Sequence, residues 1–546
     1  GFKSPTTVST NKVWTLPAAD GSSGQVLSTN GSGVLAWSSD SVTPGAGTIT
    51  AAMIASGLQL VTTDAQLNTV AGISAGAAFS GTDAVRNTLF GWEAGNDITT
   101  GDKNTAIGFQ LLAKNTTGSN NTAVGYEALY ANTTASNNTA VGYQALLANT
   151  TAANNTAIGY AALTANTTGA QNTAVGSHAL YTNAVHNDNT AVGYQALKVS
   201  TADHNTAVGH NVMSATTTGG ENTAVGANGF LAHTTGTRNT GVGYNTLKSV
   251  TTGGSNVAIG AYCGEDITTA SNNCFVGYDS APNVTTGTYN VAVGTNTLHT
   301  CTTASGNTAI GEACMYASTD ASDCVGIGLN SLRYTTTGDG NVAVGKDALK
   351  ENTTGANNTA VGKGALDANT TASNNTAIGT SSLGANTTGT NNTAVGANAL
   401  DACTTSISNT CIGQSAGGAI TTGNGENVCV GNNCGALMTT GQQNVLMGDN
   451  AGGGGVITGA SNTFVGDNSG YAHTTGSYNV AIGAGAGGAS TTSAYNTLVG
   501  FEAGKAITTG TSNTIIGEGA ASAGTTYSSN VAVGRNALQN TTAGDN

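Results

Sequence analysis

From residue 87 onward, apolar and polar residues recur with a period of 17, which is neither the 3.6 of an amphipathic helix nor the plain alternation of a long strand. The segment Asn121-Thr122-Ala123-Val124-Gly125-Tyr126 returns as Asn138-Thr139-Ala140-Val141-Gly142-Tyr143, and again from Asn155, Asn172 and Asn189. Extended both ways, the register gives 27 anchors from Asn87 to Asn530. Of the 26 intervals, 23 are 17 residues, one is 16 and two are 18. With the anchor as position zero, position four is Gly in all 27 copies and position three is always Val, Ile, Phe or Met. Position one is mostly Thr or Val and position two mostly Ala; a Thr-Thr pair commonly falls near positions twelve and thirteen, as in Thr116-Thr117. Cys324 replaces the anchor Asn once, and the off-length spacings fall in or just before the Thr-Thr turn.

A 17-residue unit is too short for a helix pair. The Thr-Ala-Val-Gly segment predicts one short strand per coil. The invariant Gly predicts positive φ or very close backbone approach. A second short strand is expected through Gln144-Ala145-Leu146 and its equivalents, with Asn-Thr-Thr-Gly as the return turn. Stacked coils pair identical strands in parallel, so anchor Asn side chains form a ladder that bonds the coils above and below. Most coils carry Leu at position eight and a polar residue at eleven, as with Leu129 and Asn132; others carry Gly and Ile, as in Gly95 with Ile98, Gly264 with Ile267, Gly417 with Ile420 and Gly504 with Ile507. Both positions are therefore expected inside the coil, the Ile refilling a space whose loss would cost ~2–5 kcal/mol. Position three, apolar throughout, is expected to face the interior. Position two, with Leu89, Phe275, Phe464 and Ile515 among its alanines, is then expected to face outward and to be covered by other chains. The expected fold is all-β: an elongated parallel β-solenoid or β-roll of about 27 seventeen-residue coils, assembled as a homotrimer into a rod roughly 130 Å long at ~4.8 Å per coil.

Before Asn87 the repeat is absent. Residues 1–58 are expected to form a small N-terminal β domain, 59–86 a linker with a short helical collar over 59–72, and 87–546 the shaft. Composition narrows the function. Charged residues are only 8% of the 546, aromatic residues 5%, and Gly numbers 80. With 14 Lys+Arg against 28 Asp+Glu and a net charge of -14, no basic surface for nucleic acid is expected. No run of 18 apolar residues occurs, so no membrane insertion is expected. The chain begins at Gly1 without a charged-then-apolar leader, as expected of a start that is either processed or preceded by further residues, and stops at Asn546 one residue before the next anchor, where a tip or a cleaved assembly domain is expected to have followed.

Motifs that could carry chemistry dissolve into the repeat. Gly413-Gln414-Ser415-Ala416-Gly417 matches a nucleophile elbow, but Gly91-Trp92-Glu93-Ala94-Gly95 and Gly448-Asp449-Asn450-Ala451-Gly452 hold the same register, so the serine is a variable position. Gly483-Ala484-Gly485-Ala486-Gly487-Gly488 matches a dinucleotide loop with no helix after it. His178, His186, His204, His210, His233, His299 and His473 are scattered and read as solvated loop residues; His204 and His210 alone are too few ligands for a metal. Nine cysteines make no disulfide framework, although Cys411 and Cys429 fall at position two of adjacent coils. Tyr126, Tyr143 and Tyr160 stack at position five, where an aromatic row could take glycans or simply stack on itself. The Thr-Thr row invites an ice-binding reading, against which stands its location in the turn that carries the insertions. Asn-x-Thr acceptor patterns such as Asn115-Thr116-Thr117 and Asn120-Asn121-Thr122 matter only in a glycosylating compartment. No catalytic, cofactor or metal residue is expected, and no enzyme.

Residues 15–37, where β-prone residues alternate with turn signals, resemble a small β domain of bacteriophage tail-fibre proteins; residues 49–55 and 64–73 resemble linkers of those fibres. Asn256-Val257-Ala258-Ile259-Gly260 and Asn479-Val480-Ala481-Ile482-Gly483 resemble the head repeats of YadA-like trimeric adhesins, which stack as a left-handed parallel β-roll, three chains to a rod. The period of 17 departs from the shorter adhesin unit. Similar Asn-Thr-Ala-Val-Gly-Tyr-Gln-Ala-Leu arrays occur in fibres of phages and large viruses. The resemblance implies a viral structural fibre, a phage tail or capsid fibre on the virion surface that reaches toward the host. Its expected partners are further copies of the chain, a virion baseplate, tail or capsid protein held by the N-terminal region, and a host surface glycan or protein. A cell-surface trimeric adhesin or extracellular filament is the alternative, and an ice-binding solenoid the third reading.

Overall fold

The structure, a computed structural model, describes residues 15, 17–19, 22, 25–29, 34–39, 62–79 and 83–539. Near the N-terminus, β1 (Gln25–Thr29) and β2 (Leu35–Ser39) form an antiparallel hairpin. Trp37 Nε1 donates to the Ala19 carbonyl at 2.8 Å. The fibre-like linker over 49–55 lies outside the described residues. No helix forms over the described part of 59–72. There β3 (Thr62–Thr63) pairs antiparallel with β4 (Thr69–Ala71), and Asp64 closes the turn by accepting from the Gln66 and Asn68 backbone N–H groups. These bonds hold the Asp64 carboxyl below its usual range although the burial effect pushes the other way.

The repeat is not absent before Asn87: within the segment 59–86 expected as a linker, the solenoid has already begun, one coil earlier. β4 pairs in parallel with β5 (Thr88–Phe90), and Asn68 serves as a further anchor 19 residues before Asn87. From β5 to β31 (Val531–Val533) each coil contributes one strand, and neighbours pair parallel with equivalent residues in register, Thr105 with Thr122 and Val124 with Val141. The architecture is thus an all-β parallel β-solenoid of about 27 coils, as expected. The off-length spacings do not break it: Thr190 pairs with Thr206 across the 16-residue coil and Thr410 with Val428 across an 18-residue one. Their extra or missing residues lie in the return turn.

Two anticipated details are reversed. Gln144-Ala145-Leu146 is not a second strand. It is a turn in which Gln144 (φ 51°) and Leu146 (φ 56°) are left-handed, with the Gln144 N–H donating to Tyr126 of one neighbouring coil and the Leu146 N–H to Ala162 of the other. The second reversal concerns the strand faces. Ala106 and Leu446 at position two are 0% exposed, whereas Ile107 and Met447 at position three are 45% and 41% exposed. Position two points into the coil and position three out. The interior is narrow, filled by the position-two residue, a small residue at seven and Leu at eight, so most coils admit only Ala at two. Where position two is larger, position eight shrinks: Leu89 stands with Gly95, Phe464 with Gly470 and Leu498 with Gly504. The converse holds across coils, since a Cβ on Gly241 would lie 3.1 Å from the Phe230 ring. The exchange of Gly and Ile between eight and eleven is as expected, with Ile98 fully buried and its Cδ1 2.7 Å from where a Gly95 Cβ would sit.

The invariant glycine meets both conditions set for it. Gly311 has φ 130°, and a Cβ would lie 2.6 Å from the Gly328 carbonyl oxygen of the next coil. The anchor ladder is also formed. Asn104 Oδ1 accepts the Asn121 backbone N–H at 3.0 Å, while Asn104 Nδ2 donates to the Gly118 carbonyl at 2.9 Å. A second ladder runs at position eleven, where Asn132, Asn149 and Asn166 donate from Nδ2 to the Oδ1 of the coil before at 2.8–2.9 Å. These amides are buried, so each unmade bond would cost about 1–3 kcal/mol. Cys324 is the defect in the anchor ladder. Its Sγ donates to the Gly338 carbonyl at 3.3 Å, but sulfur replaces the amide oxygen that an anchor offers to the following coil. Cys324→Asn should therefore stabilise the neighbouring coils by about 1 kcal/mol. The check is slower native-state hydrogen exchange at Asn341 and Val342; unchanged exchange would refute it.

Candidate functional site

The most continuous surface feature lies on the outer side of the strands. Positions one and three of the 27 coils never carry a charge: position one is Thr, Val or Cys274, position three Val, Ile, Phe90 or Met447. Each position-three side chain lies beside its equivalents on the adjacent coils, next to a parallel row of half-exposed position-one residues. The result is a charge-free apolar strip along the rod. The apolar outward row is therefore position three and not position two.

The aromatic row is real and self-occupied. Phe109, Tyr126, Tyr143 and Tyr160 stack at centroid distances of 4.9–5.1 Å with interplanar angles of 7–9°. The ring faces point along the rod and cover one another, leaving edges and hydroxyls to solvent; a sugar needing a ring face finds none within the row. The turn threonines are likewise engaged, with Thr116 Oγ1 donating to the Thr133 carbonyl and Thr133 Oγ1 to that of Thr150, both at 3.1 Å. The Asn-x-Thr patterns fall into two sets: Asn115 is buried inside the coil, whereas Asn120 is exposed.

The histidines divide in a way the sequence did not announce. His186 and His204 lie 3.5 and 3.7 Å from Asp203 and Asp188, His210 stacks on Tyr194, and His299 stacks on Tyr316 with Asp279 at 3.2 Å. His233 and His473 are not solvated. Both sit at position eleven inside the coil, fully buried, each edge-on to a phenylalanine, Phe230 or Phe464. His473 Nε2 is 2.7 Å from the Gly476 carbonyl, whereas His233 Nε2 lies against Gly236 without a hydrogen-bond partner. Burial pushes the His233 imidazole down to about 4 and lowers that of His473. A signal was available: position eleven is already marked as interior by its exchange with Gly and Ile.

Cys411 and Cys429 pair across adjacent strands as their spacing implies, and both are free thiols. Burial pushes Cys263, Cys301 and Cys314 up to about 12; hydrogen bonding to neighbouring thiols, together with burial, raises Cys429 and Cys434. Such thiols are core residues and not nucleophiles. Ser415 of the elbow-like motif sits in the position-seven-preceding turn with its N–H on the Ala397 carbonyl, and no histidine occurs between residues 300 and 472. Among the described residues no group of three or more His, Cys, Asp or Glu could hold a metal ion, and no helix is long and apolar enough to cross a membrane.

The fold and surface define a β-solenoid repeat protein. No protein-family model matches the chain, and no curated protein matches it either.

Proposed function

We propose that the chain is the shaft of a viral structural fibre, a rigid rod that reaches toward a host surface, with residues 1–58 attaching to a virion baseplate, tail or capsid protein. The observation that carries this reading is the unbroken register from Asn68 to Asn530 joined to a charge-free strip of the same length. A ladder of identical coils gives reach and stiffness. The strip supplies the means of assembly, and its occupant is further copies of this chain, in a homotrimer. Its 27 position-three side chains match the roughly 20–30 residues a side of a specific interface.

Three lysines in a row on the strip, as Ile310→Lys, Ile327→Lys and Val344→Lys, should dissociate the assembly without unfolding the coils. Light scattering should give three chains for the native protein and fewer for the variant, with an unchanged strand signal in circular dichroism. A native monomer would remove the assembly argument. A second reading has one observation in its favour: ten successive coils from Thr88 to Thr240 pair an outward Thr at position one with an outward apolar residue at three, a regular two-row face. That face would suit ice, and thermal hysteresis by the native monomer is the result that would favour it.

A further inference from the structure

Over the coil that begins at Asn479 the anchor ladder continues, but the outer turn is stripped of large side chains. Its outer turn carries Ala484, Gly485 and Gly488, which form the floor of a notch of about 420 Å³. Asp467, Asn468 and Tyr471 of the preceding coil make one wall; Phe501, Glu502 and Lys505 of the following coil make the other. The walls stand two coil spacings apart, ~9.6 Å, which admits one six-membered ring at van der Waals contact with both.

The missing side chains are not demanded by the backbone at every position. Gly488 has no left-handed φ, and a Cβ there would come no closer than 3.2 Å to another atom. Other coils place Tyr130, Tyr181 or Arg333 at this position. The aromatic walls are also unlike the stacked row. Phe501 is 57% exposed, and among the described residues no neighbouring ring stacks on it or on Tyr471. Tyr471 packs against Gly454 on one side, where a Cβ would overlap the ring, and so is held in place against the notch. Each wall sets acceptor oxygens beside N–H donors: Asn468 Nδ2 donates to Asp467 Oδ2 at 3.1 Å, and Lys505 Nζ to Glu502 Oε1 at 2.6 Å.

We propose that this notch is a carbohydrate subsite that takes one neutral hexopyranose ring. One of its C–H faces lies on Phe501 and the opposite face on Tyr471. Its vicinal hydroxyls, each both donor and acceptor, meet the Asp467–Asn468 pair on one side and the Glu502–Lys505 pair on the other. A flat aromatic ligand would cover these polar pairs without bonding them. An acidic sugar would face two carboxylates with the single ammonium already paired. The inference goes beyond the fibre reading and does not depend on it, since the notch lies within one chain.

The experiment is saturation-transfer NMR and calorimetry on the intact chain with the methyl glycosides of glucose, galactose and mannose. At least one should bind in the millimolar range. Phe501→Ala should weaken it about fivefold to tenfold, and Gly488→Tyr, which fills the floor, should abolish it. Tyr143→Ala, in the self-covered row, should leave it unchanged. Absence of binding by all three glycosides would overturn the proposal. So would equal binding to the Gly488→Tyr protein, or a preference for the methyl glycoside of sialic acid.

Discussion

Gly209→Ala is expected to open the rod at the coils anchored by Asn205 and Asn222, at a cost of about 4 kcal/mol. Two effects combine. Gly209 has φ 134°, where a side chain is strained, and a Cβ would overlap the Gly226 carbonyl oxygen with its carbonyl carbon 2.7 Å away. Relief requires the coils to part, and parting breaks the ladder bond from the Asn222 N–H to Asn205 Oδ1. A solenoid is held by nearest-neighbour contacts, so the damage should stay local. Native-state hydrogen exchange should show loss of protection at 206–208 and 223–225 and little change a few coils away. Gly229→Ala is the control. It lies within the same pair of coils, has no left-handed φ, and its Cβ would make an ordinary 3.4 Å contact with Thr246 Oγ1. It should be neutral or stabilising by about 0.4–1 kcal/mol. Equal effects of the two substitutions would refute the close-approach account.

Acid should destabilise the coils around His233 and His473 well before it titrates the surface carboxylates. His233 is buried and neutral, titrating at about 4 against 6.5 for an ordinary imidazole. Between these values the unfolded chain binds a proton that the folded coil does not. Stability is therefore full above about pH 6.5, falls as pH drops toward 4, and levels below that. The depressed value corresponds to roughly 3 kcal/mol at this site, and His473 shifts in the same direction. Hydrogen exchange of the 222–239 coil at pH 7 and 4.5 should reveal the loss. His233→Asn keeps a polar group and has no proton to take up, so it should flatten the dependence. A coil equally protected at both pH values, or an unflattened response in the variant, would count against the assignment.

The repeat itself was legible because stacking makes every coil solve the same problem: the invariant Gly, the anchor Asn and the parallel register all follow from residues that recur at one position. The direction of the strand is not legible in the same way. Apolar constancy at Val124 and its equivalents suggests an interior row, yet a constant apolar row is equally compatible with an outward one. The pairing of Leu89, Phe464 and Leu498 with Gly95, Gly470 and Gly504 carries the true answer, since two residues that trade volume must share a space. The buried histidines were hidden for a similar reason, a titratable side chain at a position already known to be interior. The notch over Ala484, Gly485 and Gly488 was visible only as a glycine-rich string; that two rings flank it depends on which coils are neighbours. The first coil, at Asn68, was masked by its 19-residue spacing.

Strands that lie across a rod have a mechanical consequence. When the two ends are pulled apart, the load does not shear many backbone hydrogen bonds at once. It falls on the outermost coil, whose few bonds open in turn and release 17 residues, or about 55–60 Å of slack, before the next coil feels the strain. A single chain stretched in this way would yield in near-equal steps, a saw-tooth whose spacing reports the repeat. The same chain pressed from the side would bend as a stiff rod.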